Sequence, residues 1–219
     1  MVRIKMKDIA IFGGGGLGRE TACLIDKINS VEKKWNIIGY FDDGIKQGTQ
    51  IDHHGYVLGD IQILNEYPKE LDVAIAIGNP LTVQVIVEKI TNKNIDFPNI
   101  ICPTFDIVDI KTFTMGRGNI IKNLCRASCN VHLGDFNMLN GMVVFGHDAH
   151  VGSFNSFMPM TRISGEVKIG NLNFFGIGSI VLQGIEIGNK IRLGAASVLM
   201  KSPQDGYLYV GNPARKMIL

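Results

Sequence analysis

The adjacent residues His147 and Asp148 are the pair in this sequence best suited to acid–base chemistry. An imidazole titrates near neutral pH, and a neighbouring carboxylate can orient it or stabilise its protonated form, so such a pair suits a general base. Cys129 lies eighteen residues before His147, and Gly165, which would leave room above the ring, lies eighteen residues after it. The spacing alone favours a catalytic and a purely structural interpretation about equally.

A glycine-rich segment, residues 13–18 (GGGGLG), offers a second kind of chemistry. It matches G-x-G-x-x-G between a predicted strand and a predicted helix, where backbone N–H groups and the helix N-terminus bind phosphate. Asp42 or Asp43, after the second predicted strand, is placed to accept a hydrogen bond from a ribose hydroxyl or a base. Gly78 and Asn79 follow the third strand, so all three loops share one sheet edge. The alternative is that the glycine-rich segment is a turn needed only for tight packing and binds no ligand.

The glycine motif by itself is most typical of nicotinamide dehydrogenases. A dinucleotide needs two mononucleotide-binding halves, and the roughly one hundred residues available here supply one. A mononucleotide-type ligand, such as a nucleoside diphosphate, fits this sheet better.

The segment that must position His147 repeats every six residues. Fifteen positions at this spacing are all apolar, and glycine follows eight of them. They are Met115, Ile121, Ala127, Leu133, Leu139, Phe145, Val151, Phe157, Ile163, Ile169, Phe175, Val181, Ile187, Leu193 and Leu199. Neither a helix nor a simple strand has this period, which is typical of a parallel β-helix wound around an apolar core.

An eighteen-residue spacing relates Asn119, Asn137, Asn155 and Asn173, which predicts coils of three hexads. Coils would stack at about 4.8 Å, and the asparagine amides could then satisfy one another in a buried ladder. His132 and His150 are also one coil apart and should stack on the outer face; a solvated surface is favoured there over contact with a metal or phosphate.

The first hundred residues alternate strands and helices instead. Strands are predicted at 7–12, 35–41, 72–77 and 94–101, and helices at 61–67, 81–90 and from Leu17 or Gly18. The predicted fold class is therefore a small α/β, Rossmann-like N-terminal domain (1–98) followed by a parallel β-helix with a C-terminal cap (99–219).

Composition excludes several classes of partner. With 22 Lys plus Arg against 20 Asp plus Glu, neither a nucleic acid nor a membrane surface is expected. No apolar run is long enough for a leader or a membrane span, which predicts a cytoplasmic protein. The four cysteines and five histidines show no zinc-site spacing, so no metal is predicted. All four cysteines are expected to be small buried residues, and His53 and His54 to be exposed.

In order, and over nearly the whole chain, several motifs resemble bacterial sugar acetyltransferases of the sialic acid O-acetyltransferase (NeuD) and PglD type. They are residues 11–20, 39–43 and 76–79, the hexads with Gly146-His147-Asp148, and residues 210–214. The resemblance implies a left-handed β-helix, a nucleotide-sugar-binding N-terminal domain, and a homotrimer with acetyl-CoA between neighbouring solenoids.

The resemblance also implies roles by position, with His147 as the base and Asp148 raising its basicity. The positions implied for the nucleotide-linked sugar are Gly15, Gly16, Leu17, Asp42, Asp43, Gly78, Asn79 and Asn140. Those implied for acetyl-CoA are Ser156, Gly165, Ile177, Gly194 and Ala195. Ser156 stands where PglD-type members carry a second histidine that contacts the donor.

The function that follows is acetyl transfer from acetyl-CoA to an amino or hydroxyl group of a nucleotide-linked sugar in surface glycan biosynthesis. A UDP-linked 4-amino sugar is favoured, because Asn140 and the glycine loop fit that subgroup. The alternatives are an O-acetyltransferase for sialic acid or another sugar, a non-catalytic nucleotide-sugar-binding scaffold, and a dehydrogenase.

Overall fold

The computed structural model describes residues 6–217 and contains an α/β part and a solenoid. The helices are α1 (Gly16–Val31), α2 (Ile61–Asn65) and α3 (Pro80–Lys89). The strands of the first part are β1 (Lys7–Phe12), β2 (Trp35–Phe41), β3 (Gln50–Asp52), β4 (Gly55–Gly59), β5 (Leu71–Ile75), β6 (Ile95–Asp96) and β7 (Ile100–Ile101).

The solenoid strands are mostly two residues long. They are β8 (Asp106–Ile107), β9 (Thr114–Met115), β10 (Ile120–Ile121), β11 (Arg126–Ala127), β12 (His132–Leu133), β13 (Met138–Leu139), β14 (Val144–Phe145), β15 (His150–Val151), β16 (Ser156–Phe157), β17 (Arg162–Ile163), β18 (Lys168–Ile169), β19 (Phe174–Phe175), β20 (Ile180–Val181), β21 (Glu186–Ile187), β22 (Arg192–Leu193), β23 (Val198–Leu199), β24 (Leu208–Gly211) and β25 (Ala214–Lys216).

Backbone contacts divide the chain into two compact units. One consists of Met1–Gly78 with Thr82–Pro103, and the other of Asn79–Leu81 with Thr104–Leu219. The boundary between residues 98 and 99 stays a prediction, and residues 1–5 and 218–219 of the two predicted domains lie outside the described residues.

The first unit is built on one sheet with the strand order β3-β4-β2-β1-β5-β6. All neighbours are parallel except the hairpin β3–β4. The chain leaves β1 first towards β2 and later towards β5 on its other side, which makes the carboxyl end of β1 the switch point of the sheet. Helix α1 packs on β1 and β2 with one apolar face, from Thr21 to Ile28.

The predicted strands at 7–12, 35–41 and 72–77 are confirmed within two residues at each end. The predicted strand 94–101 is instead two short strands, β6 and β7, because Pro98 lies between them and lacks a ladder donor. The hairpin β3–β4 was not predicted. Its strands are short and polar, and so give no two-residue apolar alternation.

In the second unit each coil has three short strands, and from β9 to β20 each strand pairs in parallel with the strand eighteen residues later. At the two ends, β8 pairs with β11 twenty residues on and β22 pairs with β24 sixteen residues on. Within this unit the three sheets have the orders β10-β13-β16-β19-β22-β24-β25, β8-β11-β14-β17-β20-β23 and β9-β12-β15-β18-β21, and β24–β25 is their one antiparallel pair among the described residues. The predicted fold class, an α/β domain followed by a parallel β-helix, is therefore confirmed.

The six-residue spacing marks the solenoid interior. From Ile121 to Leu199 every predicted hexad position is buried, and Met115 on the first coil is half-buried. Phe157 stacks on Phe175 with ring centroids 4.7 Å apart and planes within 5°. Coils are thus held by side-chain columns as well as by the strand ladders.

The asparagine ladder forms as predicted, and all four members are buried. The Oδ1 atom of Asn155 accepts from both the backbone N–H and the side-chain amide of Asn173, each at 2.9 Å. The amide of Asn155 donates in turn to Asn137 Oδ1 at 3.0 Å and to the Gly170 carbonyl at 3.0 Å. Every amide of the middle rungs therefore has partners within the protein.

Glycines in the solenoid allow neighbouring coils to stack closely, whereas the corners are formed mainly by other residues. A Cβ added at Gly146 or Gly176 would lie 2.5–2.6 Å from a backbone nitrogen of the next coil. The corners have positive φ at every sixth residue from Gly118 to Ala196, and most of these residues are not glycine; Asn130 and Asp148 are two of them.

Three expectations about exposure were wrong. Cys23 and Cys129 are exposed, whereas Cys102 and Cys125 are buried as predicted. The side chain of His54 is only 5% exposed, because its ring lies between Asp52 and Asp26. Burial lowers the pKa of His54, but hydrogen bonds to Asp26 and Asp52 outweigh it and leave that pKa raised. Among residues 6–217, no helix has the length and apolar character to cross a bilayer.

Candidate active site

His147 lies at a solenoid corner, just after β14, with half of its side chain exposed. Its Nδ1 atom is 2.7 Å from Oδ2 of Asp148. A carboxylate can only accept, so Nδ1 carries the hydrogen and donates it. In the neutral ring Nε2 then keeps its lone pair, which is the protonation state that a general base requires.

Asn130, one coil earlier at the same corner, holds the other oxygen of Asp148. Its side-chain amide donates to Asp148 Oδ1 at 2.7 Å. The Oδ1 atom of Asn130 lies 3.0 Å from Nε2 of His132, whose Nδ1 lies 2.6 Å from the hydroxyl of Thr114. We call this chain of Thr114, His132, Asn130, Asp148 and His147 the corner network.

The direction of the hydrogen bonds in the corner network follows from chemistry. Because the amide nitrogen of Asn130 faces a carboxylate, its oxygen must accept, and His132 therefore donates from Nε2. In a neutral His132 ring, Nδ1 is then the acceptor for the Thr114 hydroxyl. Every polar atom of the network has a partner up to Nε2 of His147, for which no hydrogen bond is seen among the described residues.

The corner network keeps Asp148 ionised. The hydrogen bond from Asn130, followed by the one from His147, lowers the pKa of Asp148 below 3.8. At neutral pH the carboxylate is therefore a fixed negative charge against Nδ1, where it orients the ring and stabilises an imidazolium.

The space above the imidazole is provided by Gly165, as the sequence predicted. A Cβ at this position would lie 2.5 Å from Nε2 of His147. On the other side of the corner, Cys129 accepts the backbone N–H of Asp148 through its carbonyl oxygen at 3.0 Å. Cys129 is a free, exposed cysteine.

The other predicted solenoid residues differ in exposure. Asn140 is half-buried with its amide 3.9 Å from the sulfur of Met158, and Ile177 is 52% exposed. Ala195 is exposed and Gly194 half-buried. Ser156 is 2% exposed, so its hydroxyl is not presented at the surface of the chain. This burial disfavours the direct donor contact predicted for Ser156.

The glycine loop in the first unit is open on its outer side. Nothing lies within 4 Å of a Cβ added at Gly15 or Gly16. Gly15 is the N-cap of α1 and has no side chain, so no cap hydrogen bond is made to the first N–H groups of the helix, among them that of Leu17. Exposed helix N–H groups with no Cβ in the way suit a phosphate.

Two other glycines explain the close packing of this loop. A Cβ at Gly18 would lie 1.9 Å from the carbonyl oxygen of Gly13, so α1 can approach β1 only with glycine there. Gly13 itself has φ +113°, a conformation that favours glycine. The motif therefore serves both packing and ligand access, through different glycines.

The two aspartates after β2 hold loops. Asp42 Oδ2 accepts from the N–H of Gly14 at 2.8 Å, and its Oδ1 accepts from Gly44 and Ile45. Asp43 Oδ1 accepts from the N–H of Ile61 at 2.9 Å. In the structure, Asp42 therefore positions the glycine loop. Its direct contact with a ribose stays a prediction.

The predicted loops do meet at one sheet edge. Phe12 at the end of β1 is in register with Phe41 of β2 and with Ile75 of β5. Gly78 follows β5 at this edge and is half-buried, and Asn79 after it is exposed.

Sequence reasoning missed Asn130, Thr114 and the bonded role of His132. A signal was available, because Asn130 lies eighteen residues before Asp148 and Thr114 eighteen before His132. Residues one coil apart at polar positions should be tested as pairs in any solenoid of this period.

The chain thus combines an α/β domain that has an open glycine loop with a hexapeptide-repeat solenoid that carries a His–Asp pair at one corner. Comparisons with known proteins find the same combination of folds. Residues 8–90 match the family model described as the PglD N-terminal domain. A search of proteins of curated function finds no significant match.

Several solved structures have the same fold over nearly the whole chain. The acetyltransferase domain of PglB from Neisseria gonorrhoeae FA1090, in complex with acetyl coenzyme A, is 24% identical and has a TM-score of 0.86, with 97% of this chain and 100% of that chain covered. WeeI from Acinetobacter baumannii AYE is 24% identical, with a TM-score of 0.84 and coverage of 97% and 100%.

PerB from Caulobacter crescentus, in complex with CoA and GDP-perosamine, is 22% identical, with a TM-score of 0.83 and coverage of 97% and 98%. At these identities the likeness establishes the fold. The resemblance to the PglD type stated from the sequence is confirmed for the N-terminal domain by the family match, and for the whole chain at the level of the fold.

Proposed function

We propose that this chain is an acetyl-CoA-dependent acetyltransferase that acts on an amino or hydroxyl group of a nucleotide-linked sugar. The observation that carries the proposal is Nε2 of His147, which has no hydrogen bond within residues 6–217, with Nδ1 fixed by Asp148 and open space provided by Gly165. The similar folds of PglB, crystallised with acetyl coenzyme A, and PerB, crystallised with CoA and GDP-perosamine, support it.

The reaction needs one base and no covalent enzyme intermediate. Nε2 of His147 takes a proton from the sugar amine or hydroxyl while the lone pair of that sugar nitrogen or oxygen attacks the thioester carbonyl. The tetrahedral intermediate collapses with loss of the CoA thiolate, which takes the proton from the His147 imidazolium and so regenerates the base, and the acetyl group remains on the sugar. A thioester is already activated, so the exposed Cys129 has no required role.

Asp148 and Asn130 act through His147. Asp148 stabilises the imidazolium that forms during attack, and Asn130 keeps Asp148 ionised and pointed at Nδ1. We propose both as positioning residues.

The acceptor would be held by its phosphates at the start of α1. Gly15, Gly16 and Leu17 offer backbone N–H groups there, and Asp42 holds the loop through Gly14. The residues proposed to complete the acceptor site are Asp43, Gly78, Asn79 and Asn140.

For acetyl-CoA we propose the exposed Ile177 and the small pair Gly194 and Ala195. Gly165 would admit the acetyl end beside the imidazole. A homotrimer with donor sites between solenoids, and action in the cytoplasm, are part of the proposal. The nucleotide and sugar are proposed as a UDP-linked 4-amino sugar.

The decisive experiment is acetyl-CoA consumption against a panel of UDP-, GDP- and CMP-linked amino sugars, their deaminated counterparts and free sialic acid. Turnover with one amino sugar, an acetylated product by mass spectrometry, and none with its deaminated counterpart are expected. Turnover only with hydroxyl acceptors would show that the enzyme forms an ester and not an amide.

Binding of a nucleotide sugar with no turnover in the whole panel, and no acetyl-CoA binding by calorimetry, would favour the scaffold and contradict the proposal. Tight binding of NAD at the glycine loop would instead favour a dehydrogenase.

A further inference from the structure

A cluster of titratable side chains lies in the first unit, away from the glycine loop. Asp26, His53 and His54 each present a ligand atom, and these atoms all lie within 4.8 Å of one another. Asp26 is the eleventh residue of α1, so it is about 15 Å along the helix axis from the glycine loop. Among residues 6–217 this is the one group of three or more such side chains with this geometry.

His54 is the anchored member of the cluster. Its side chain is 5% exposed, its Nδ1 lies 3.1 Å from Asp52 Oδ2, and its Nε2 lies 2.7 Å from Asp26 Oδ2. Since Asp52 and Asp26 can both only accept, both ring nitrogens of His54 carry hydrogen in the metal-free protein. A divalent ion bound between His54 and Asp26 would displace the proton from Nε2, while Nδ1 keeps its hydrogen bond to Asp52.

Asp52 is itself fixed by other donors. The backbone N–H of His54 donates to its Oδ1 at 2.8 Å, and the hydroxyl of Tyr40 donates to the carboxylate at 3.1 Å. A carboxylate behind the distal nitrogen of a histidine is the arrangement that orients imidazole ligands in metal sites and raises their basicity.

His53 adds a second imidazole at the exposed side. Its ring centroid is 3.9 Å from that of His54, with the planes at 37°. Two imidazoles and a carboxylate are the donors that Zn²⁺ and related transition-metal ions prefer, whereas Mg²⁺ and Ca²⁺ prefer oxygen. Ligand atoms around tetrahedral zinc lie about 3.3 Å apart, within the range seen here.

We propose that Asp26, His53 and His54 bind a divalent transition-metal ion such as Zn²⁺, with Asp52 behind His54 and the fourth position left to water. The ion would connect α1 to the turn between β3 and β4, which are otherwise joined here by the hydrogen bond between Asp26 and His54. It would therefore stabilise this unit without taking part in acyl transfer. Sequence spacing predicted no metal, because the ligands come from two segments with no motif between them.

The test uses the full-length protein, free of any histidine tag, at pH 7.5. ZnCl₂ is added in isothermal titration calorimetry, and CoCl₂ in an absorption titration that reports ligand geometry. Saturable 1:1 binding with a micromolar or tighter Kd is expected, together with a rise of the thermal midpoint of a few degrees and no such effect from MgCl₂.

Asp26→Asn and His53→Gln alter exposed side chains and should each weaken Zn²⁺ binding at least tenfold with the fold intact. Glu32→Gln, at the end of the same helix, is the matched control and should bind as wild type does. Absence of saturable binding to the wild type, or equal affinity in Asp26→Asn, His53→Gln and wild type, would overturn the proposal.

Discussion

Two polar columns run through the same solenoid, and they differ in how they end. The ladder of Asn119, Asn137, Asn155 and Asn173 is buried, and its amides bond rung to rung. The corner network uses the same eighteen-residue rise at an exposed corner, and it ends on Nε2 of His147, which accepts no hydrogen bond among the described residues. One repeat therefore builds a closed column and an open one.

The difference indicates which column serves stability and which serves chemistry. In a closed buried column, removal of one member leaves its partners unsatisfied away from water, which costs folding free energy. In the exposed corner network water can replace a lost partner, so removal of a member should change the orientation and ionisation of the terminal imidazole instead. The two columns can thus be separated by measuring stability and turnover on the same variants.

The largest effect is expected at the open end. His147→Ala should lower kcat at least ~100-fold, because the base is lost, while the thermal midpoint stays within a degree or two of wild type. Steady-state kinetics and circular dichroism measure the two quantities. His150→Gln, in the next strand, is the matched control and should keep near-normal turnover; a His147→Ala enzyme as active as this control would remove His147 from the mechanism.

In the closed column, Asn155→Ala should destabilise the solenoid by about 2 kcal/mol, since Asn173 loses its acceptor. Urea unfolding followed by circular dichroism provides the measurement. Asn171→Ala removes an equivalent bond, from the Ser153 N–H to Asn171 Oδ1 at 2.7 Å, but at an exposed position, and should cost well under 1 kcal/mol. Equal losses in the two variants would show that burial of the ladder is not what matters.

Gly165→Ala tests the space above the imidazole. The new methyl would meet Nε2 at 2.5 Å, and the half-exposed ring can turn away, so stability should change little while kcat falls about tenfold. Cys129→Ala, on the other side of the corner, should leave kcat near the wild-type value. Unchanged kcat in Gly165→Ala would mean that the ring position seen here is not the reactive one.

The smallest effect is expected from Asn130→Ala, with a kcat about fivefold lower through a less well oriented Asp148. Loss of the main hydrogen bond should also raise the pKa of Asp148 towards 3.8. Carboxyl NMR titration measures this shift directly, and Asn123→Ala should not change it.

The lowered pKa of Asp148 determines how the folding stability changes with pH. Because the pKa of Asp148 is depressed in the folded protein, its contacts stabilise the fold above pH 3.8 and lose that contribution as the pH falls through the lowered pKa. The stability difference between wild type and Asn130→Ala should therefore become smaller in strong acid, where only the costs of the positive φ at residue 130 and of the lost hydrogen bond to His132 remain. An equal difference at neutral pH and in strong acid would show that the ionised carboxylate does not contribute.

Much of the solenoid could be predicted, because its contacts repeat. The hexads predicted the buried interior from Ile121 to Leu199, and the eighteen-residue spacing predicted the ladder and the stack of His132 on His150, whose ring centroids are 4.6 Å apart. The first unit has no repeat, so its strands were predicted from apolar runs, and its short hairpin β3–β4 was missed.

Side-chain partners in the first unit could not be predicted for the same reason. The hydrogen bond between His54 and Asp26 joins residues 28 positions apart, on a helix and a turn, and no periodicity marks it. Asp42 was predicted at the right edge, but its commitment to Gly14, Gly44 and Ile45 depends on loop geometry that composition does not encode.

The final strand β25 changes direction and pairs antiparallel with β24, through Val210 and Arg215. A stack of parallel coils is an open template on which another molecule could continue the same register. Because β25 runs antiparallel and carries the cations Arg215 and Lys216, it prevents a strand of another molecule from pairing in parallel with this end of the solenoid. Proteins shortened before residue 214 should therefore associate through this exposed last coil at concentrations where the intact chain stays dispersed.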